Sequence, residues 1–232
     1  NGFYRPDRYE NAYEVFEKFA EKGIHQFRAL GLIEPREDGT LDTKPFDEQM
    51  ERLLSIEPQL MLMLRIIRFP PDWYLKKYPE EMMVHLDSRT GKPVNENPLS
   101  RRPSFSSKKF RKDNLEWIDK IVRYAEANYS RNIMAYFYHG GVIEWAYQWA
   151  EVLSDYSRPQ QKGFQEWLKE KYKTNQALRE AWNDNEVSFD TVEIPRNRTR
   201  TYNQPALFHP QKDRNVIDYL YFHSEIVADA CV

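Results

Sequence analysis

The sequence has almost no cysteine, little glycine and no long apolar run. A single cysteine, Cys231, excludes an internal disulfide framework and any thiolate metal cluster. There are 8 glycines in 232 residues, about half the usual share of roughly 7%, so each one is worth locating. No stretch approaches the roughly 18 apolar residues that a membrane-spanning helix needs, which predicts no membrane partner. Net charge is small, -2 with a pI near 6.3, so nothing global draws the chain to nucleic acid or to an anionic surface. Neither GxGxxG nor GxxxxGK[ST] occurs, which removes support for a nucleotide fold. His25, His85, His209 and His223 lack ligand spacing and there is no HExxH, so neither a metal nor a cofactor is expected. The absence of GxSxG argues against a hydrolytic triad.

What the chain has is aromatic weight. Aromatic residues make up 15% and hydrophobic residues 41%, enough to drive burial of a sizeable core. The length corresponds to one or two domains. Residues 7–22 place Tyr13, Phe16 and Phe19 at helical spacing, with Gly23 where a helix cap belongs. Residues 24–32 read as a buried strand. Thr43 followed by Pro45 reads as the start of a second helix, over 41–58. Residues 59–69, QLMLMLRIIRF, read as a strand apolar on both faces, ended by Pro70-Pro71. A long connection follows over 70–112, and loops of that length are usually functional or covering segments. A helix over 113–128 is expected to bury Leu115, Ile118, Ile121, Val122 and Ala125. Residues 132–140 form the next strand. Ser157 and Gln160 have capping-box spacing at the head of another helix, and Thr174 heads a short one. Residues 183–213 read as a polar loop, with a last helix from about 213.

Single strands alternating with helices imply βαβ units on a parallel sheet, either doubly wound or a (β/α)8 barrel. In both, function gathers beyond the C-terminal ends of the strands. Those ends carry Arg28, then Arg65, Arg68 and Trp73, then Tyr138, His139, Glu144 and Trp145 in YFYHGGVIEWAYQW (136–149). Aromatic rings stack on the apolar faces of a sugar, and charged forks bind its hydroxyls. A carboxyl desolvated beside an indole is pushed up toward neutrality and can donate a proton. Each residue also has a plainer reading: Glu144 as a solvated loop charge, the aromatics as core, Arg65 as a structural ion-pair partner, His139 as a turn residue. RRPSFSSKKFRK (101–112) has six basic residues and no acid, and reads as a solvated loop rather than a nucleic-acid contact. Two glycosylation sequons, at Asn128 and Asn197, match a short and common pattern.

Five segments in order resemble the family 42 β-galactosidases and their clan A relatives: EKGIHQFRALGLIEP, RFPPDWYLKKYPEE, IMAYFYHGGVIEW, DYSRPQQKGFQEWLKEKYKTNQALREAWND and DYLYFHSEIVAD. The resemblance covers roughly residues 12–230. It implies an α/β fold, a (β/α)8 TIM barrel, partial here, with strands two to four and their helices in one catalytic domain over 1–232. It also implies a retaining glycoside hydrolase with a carbohydrate substrate and Glu144 as acid/base. Arg28, Arg68, Trp73, Arg102, His139 and Trp145 are the implied sugar contacts. Ile143 stands where the family has an asparagine that contacts the sugar, and the zinc-binding cysteines of some members are missing, so no metal is expected. The nucleophile is expected beyond Val232, since neither Asp155 nor Asp190 ends a late strand. The start without Met and the unstopped apolar end read as a section of a longer chain. A non-catalytic carbohydrate-binding barrel is the alternative. The compartment stays open between cytoplasmic, periplasmic and secreted, and a homo-oligomer stays possible in the assembly.

Overall fold

The computed structural model describes residues 10–67, 70–87, 90–94, 102–139, 152–153, 155–196 and 208–230. Helix α1 (Glu10–Ala20) leads into strand β1 (Gln26–Leu30). A short antiparallel pair, β2 (Glu34–Pro35) and β3 (Leu41–Asp42), precedes α2 (Lys44–Ile56) and β4 (Met61–Ile67). Then come α3 (Asp72–Lys77), β5 (Leu86–Asp87), α4 (Lys108–Tyr129), β6 (Ile133–His139) and β7 (Val152–Leu153). Helices α5 (Arg158–Tyr172), α6 (Asn175–Trp182) and α7 (Arg214–Ala230) complete the order. The chain divides into two compact units, Asn1–Arg68 with Leu115–His139, and Phe69–Asn114 with Gly140–Val232.

The first unit is built on the parallel sheet β1-β4-β6, with strands in sequence order. Parallel neighbours need a crossover, and α2 and α4 lie on the two crossovers. Leu62, Leu64 and Ile66 of β4 are 0–1% exposed. Burial of each contributes about 1.5–3 kcal/mol. The opposite face differs from the expectation of a strand buried on both sides. Met61, Met63 and Arg65 alternate with the leucines and keep partial exposure. Their register neighbours on β1, Gln26 and Arg28, are exposed. The register slips by one residue in β6. Leu62 pairs with Ile133 but Met63 pairs with Ala135, so Met134 is a β-bulge.

Local signals explain most element ends. Gly23 adopts φ +76 and its N–H bonds to the Ala20 carbonyl at 2.9 Å, which ends α1 as expected. Thr43 does not cap α2 with its side chain; its carbonyl takes the Phe46 and Asp47 N–H groups instead. The Asp47 carboxylate accepts the Tyr124 and Tyr129 hydroxyls at 2.8 and 2.9 Å, tying α2 to α4. The buried face of α4 runs through Trp117, Ile121 and Ala125, whereas Leu115 is 64% exposed. The expected face was thus rotated by a residue or two, because Trp117 is the larger apolar side chain to bury.

The second unit has a core of Phe164, Leu168, Leu178, Tyr219 and Phe222 from α5, α6 and α7. Val187, Phe189, Val192 and Ile194 add to it from an irregular segment. That segment is loop as expected, but it is packed rather than simply polar. Gln161 holds it: its Nε2 donates to the Val192 carbonyl and its Oε1 accepts the Ile194 N–H. Ser157 caps α5 by accepting the Gln160 N–H at 3.3 Å, and Thr174 caps α6 through the Ala177 N–H at 3.1 Å. The β5–β7 pair also belongs to this unit.

Candidate active site

Three parallel strands put their C-terminal ends, Leu30, Ile67 and His139, at the same end of one sheet. Arg28 lies on β1, exposed, with its guanidinium 5.7 Å from the ring centre of Phe137 on β6. Crossing from β1 to β6 takes it over β4 at Met63. His139 closes β6, where its backbone pairs with Ile67; its side chain lies outside the described set. Arg68 follows β4, and Glu144 and Trp145 follow β6; all three lie outside the described residues.

The second unit holds Trp73 and Arg102. Pro71 starts α3 in extended conformation and its carbonyl receives the Tyr74 N–H at 2.9 Å. The half-buried Trp73 ring packs edge-on against Tyr74, 5.5 Å between centres. Tyr74 is fully buried and donates its hydroxyl to Asp113 at 2.9 Å, and burial together with that carboxylate pushes its pKa far up. Arg102 is fixed through its backbone, with its carbonyl accepting the Met83 N–H at 2.8 Å. Burial pulls its guanidinium down to about 10. A guanidinium held in low dielectric binds a hydroxyl or an anion more strongly than a solvated one.

The basic run at 101–112 is not the solvated loop that was expected. Ser104, Ser106 and Ser107 are buried, and α4 begins at Lys108, five residues before the expected start at 113. The Ser107 hydroxyl caps the helix by accepting the Phe110 N–H at 2.9 Å, and itself donates to Glu81. Lys108 pairs with Glu166 at 2.7 Å, Lys109 with Asp113 at 2.9 Å, and Arg111 donates to the Asp229 carbonyl. Lys108, Lys109 and Arg111 are therefore engaged by the fold itself.

The two acids considered from the sequence have other duties. Asp155 is fully buried and accepts the Val84 and Ser157 N–H groups and the Ser157 hydroxyl, at 2.8–3.0 Å. Burial pushes its carboxyl up against the downward pull of these donors. Asp190 is 84% exposed and pairs with Lys169. Sequence reasoning gave no hint of the polar chain Ser106–Gln160–His223 beside Asp155. There Ser106 donates to Gln160 at 2.6 Å, and Gln160 meets Tyr219 and His223 at 3.2 and 3.1 Å. Its members are far apart in the sequence. Among the described residues no group of three or more His, Cys, Asp or Glu is placed to hold a metal, and no helix is long and apolar enough to cross a membrane.

Known proteins share this fold. The model of a β-galactosidase family, glycoside hydrolase 42, matches residues 4–232. The β-galactosidase BglY of Alicyclobacillus acidocaldarius is 27% identical over 194 residues, covering 78% of this chain and 25% of that protein. The solved β-galactosidase of the psychrophilic Marinomonas ef1 superposes with a TM-score of 0.65 at 21% identity, covering 98% of this chain and 32% of that one. The catalytic domain of a β-amylase from Paenibacillus polymyxa superposes with a TM-score of 0.68 at 13% identity, over 96% of this chain and 57% of that one. At such identities the superpositions show a common fold. The chain spans about a quarter to a third of the length of the β-galactosidases it matches.

Proposed function

Because this chain belongs to the glycoside hydrolase 42 family of β-galactosidases, we propose that it is part of a retaining β-galactosidase and that Glu144 is the acid/base. The observation that carries the reading is the family match over residues 4–232, in a chain where Glu144 follows the end of β6 by five residues. On this reading β1, β4 and β6 are strands two to four of one (β/α)8 barrel, and residues 1–232 are one part of its catalytic domain. Glu144 protonates the glycosidic oxygen as the bond to the leaving group breaks. A second carboxylate, about 5–5.5 Å away in retaining enzymes, takes the sugar as a covalent ester. Glu144, now ionised, removes a proton from the water that releases it. Arg28, Arg68, Arg102 and His139 bind sugar hydroxyls, and Trp73 and Trp145 stack on the ring faces. The half-buried guanidinium of Arg102, the half-buried ring of Trp73 and the exposed guanidinium of Arg28 are each suited to that work.

The test uses the full-length protein and aryl β-galactosides. Glu144→Gln lowers kcat about 10²–10⁴-fold, the usual contribution of general acid–base catalysis. Glu144→Ala loses least on substrates with acidic phenol leaving groups, which depart without a proton. Added azide, which needs no general base, speeds its turnover and yields a β-galactosyl azide. Unchanged turnover in Glu144→Gln would reject the assignment.

A further inference from the structure

Arg65 is the one charged residue of β4. Alternation puts it with Met61 and Met63 on the sheet face opposite the fully buried Leu62, Leu64 and Ile66. Its Nε is sealed from solvent, and among the described residues no atom accepts its proton. Arg28 reaches over the same face from β1 to Phe137, and Phe137 is the register partner of Arg65. The Arg28 guanidinium thus lies over the ring of the residue that pairs with Arg65 in the sheet, and among the described residues neither arginine has a carboxylate beside it.

An arginine cannot shed its proton to relieve this burial. A buried donor without an acceptor costs about 1–3 kcal/mol, and more when it is charged. A neutral acceptor would satisfy the Nε–H but leave two like charges together. A carboxylate does both, since its two oxygens match the guanidinium fork. We propose that Arg65, with Arg28 beside it, is the receptor for a carboxylate on the open face of this sheet. Two sources present that group: an acidic side chain of the protein outside these residues, and a sugar acid such as galacturonate.

Both sources are tested in the full-length protein with Arg65→Met, which keeps the apolar stem, and Arg65→Lys, which keeps the charge but not the fork. The first measurement is Tm between pH 7 and pH 2. A carboxylate held by a guanidinium has a lowered pKa, so its stabilisation is present above the ordinary range near 4 and is lost as the pH falls through the lowered value. A protein-borne carboxylate makes Arg65→Met melt several degrees lower at pH 7, with a gap that holds to about pH 4 and narrows as the pH falls below it, and a smaller gap for Arg65→Lys. The second measurement is calorimetric binding of galacturonate against galactose. A sugar-borne carboxylate gives at least tenfold tighter binding of the acid in the wild type, a preference that Arg65→Met removes. Only this second measurement rests on the glycosidase reading; if that reading fails, neither sugar binds and the melting series still decides. A melting gap equal at every pH, together with no Arg65-dependent preference for the acid, overturns the proposal.

Discussion

Gly163 shows how much one hydrogen atom can matter. It lies inside α5, where glycine ordinarily costs about 1 kcal/mol relative to alanine. A Cβ there would stand 2.9 Å from the Ser106 hydroxyl oxygen and 3.1 Å from the Phe222 ring. Both neighbours are buried and Ser106 is committed to Gln160, so neither yields cheaply. Gly163→Ala therefore destabilises the protein by about 1–3 kcal/mol despite the better helix former, the usual cost of overpacking. A denaturant melt measures it, and a stabilised variant would mean that Ser106 and Phe222 move freely. Asp218 makes the complementary point, since it is fully buried yet satisfied. It takes Lys171 and Arg214 as cations and the Tyr172 and Trp182 donors at 2.6 and 2.8 Å. Its aspartate opens the DYLYFHSEIVAD segment, and the tryptophan comes from the preceding resemblance segment, so two of the five are here joined by a structural bond.

Elements were legible where their cause is local. The apolar runs of β4 and β6, the Gly23 stop, and the Ser157 and Thr174 caps all act within a few residues; β1 forms where a buried strand was expected, but none of its described side chains is buried, because Gln26 and Arg28 alternate with only half-covered neighbours. The head of α4 was not legible, because its cause is distant. Lys108, Lys109 and Arg111 in the first turn oppose the helix dipole, so the sequence reads as loop. Lys109 is answered locally by Asp113, but Lys108 and Arg111 are compensated by Glu166, 58 positions away, and by the Asp229 carbonyl, 118 away. Ser107 supplies the cap, so Ser107→Ala is expected to cost about 1–2 kcal/mol by removing it, with Glu81 losing a donor. Amide hydrogen exchange should show faster exchange at Phe110 without change in β1. Equal protection there would mean that the basic turn holds itself. The site was legible in the same partial way. Arg28, Trp73 and Arg102 are positioned by strands, prolines and paired backbone, whereas the orphaned Nε of Arg65 shows only once the sheet is assembled.

At the scale of the whole chain, the parallel sheet is covered on the Leu64 side and open on the Met63 side. Among the described residues β6 pairs only with β4, and its Met134 and Phe137 are 44% and 38% exposed. An open strand edge with apolar side chains is a template for association. Residues 1–232 produced alone are expected to self-associate at tens of micromolar in sedimentation velocity, and Met134→Lys to reduce that association. A monodisperse monomer at those concentrations would show that the edge is protected.

The bulge at Met134 sets the phase of everything that follows it. Ile133 sits beside Leu62 and Ala135 beside Met63, so two residues that an unbroken strand would turn the same way face opposite sides. The extra residue is a half-step inserted into a two-step rhythm. Upstream of it odd-numbered positions keep time with the helices; downstream they keep time with the arginines. The chain reaches the end of β6 at His139 in the second phase, a phase set by a methionine five residues earlier.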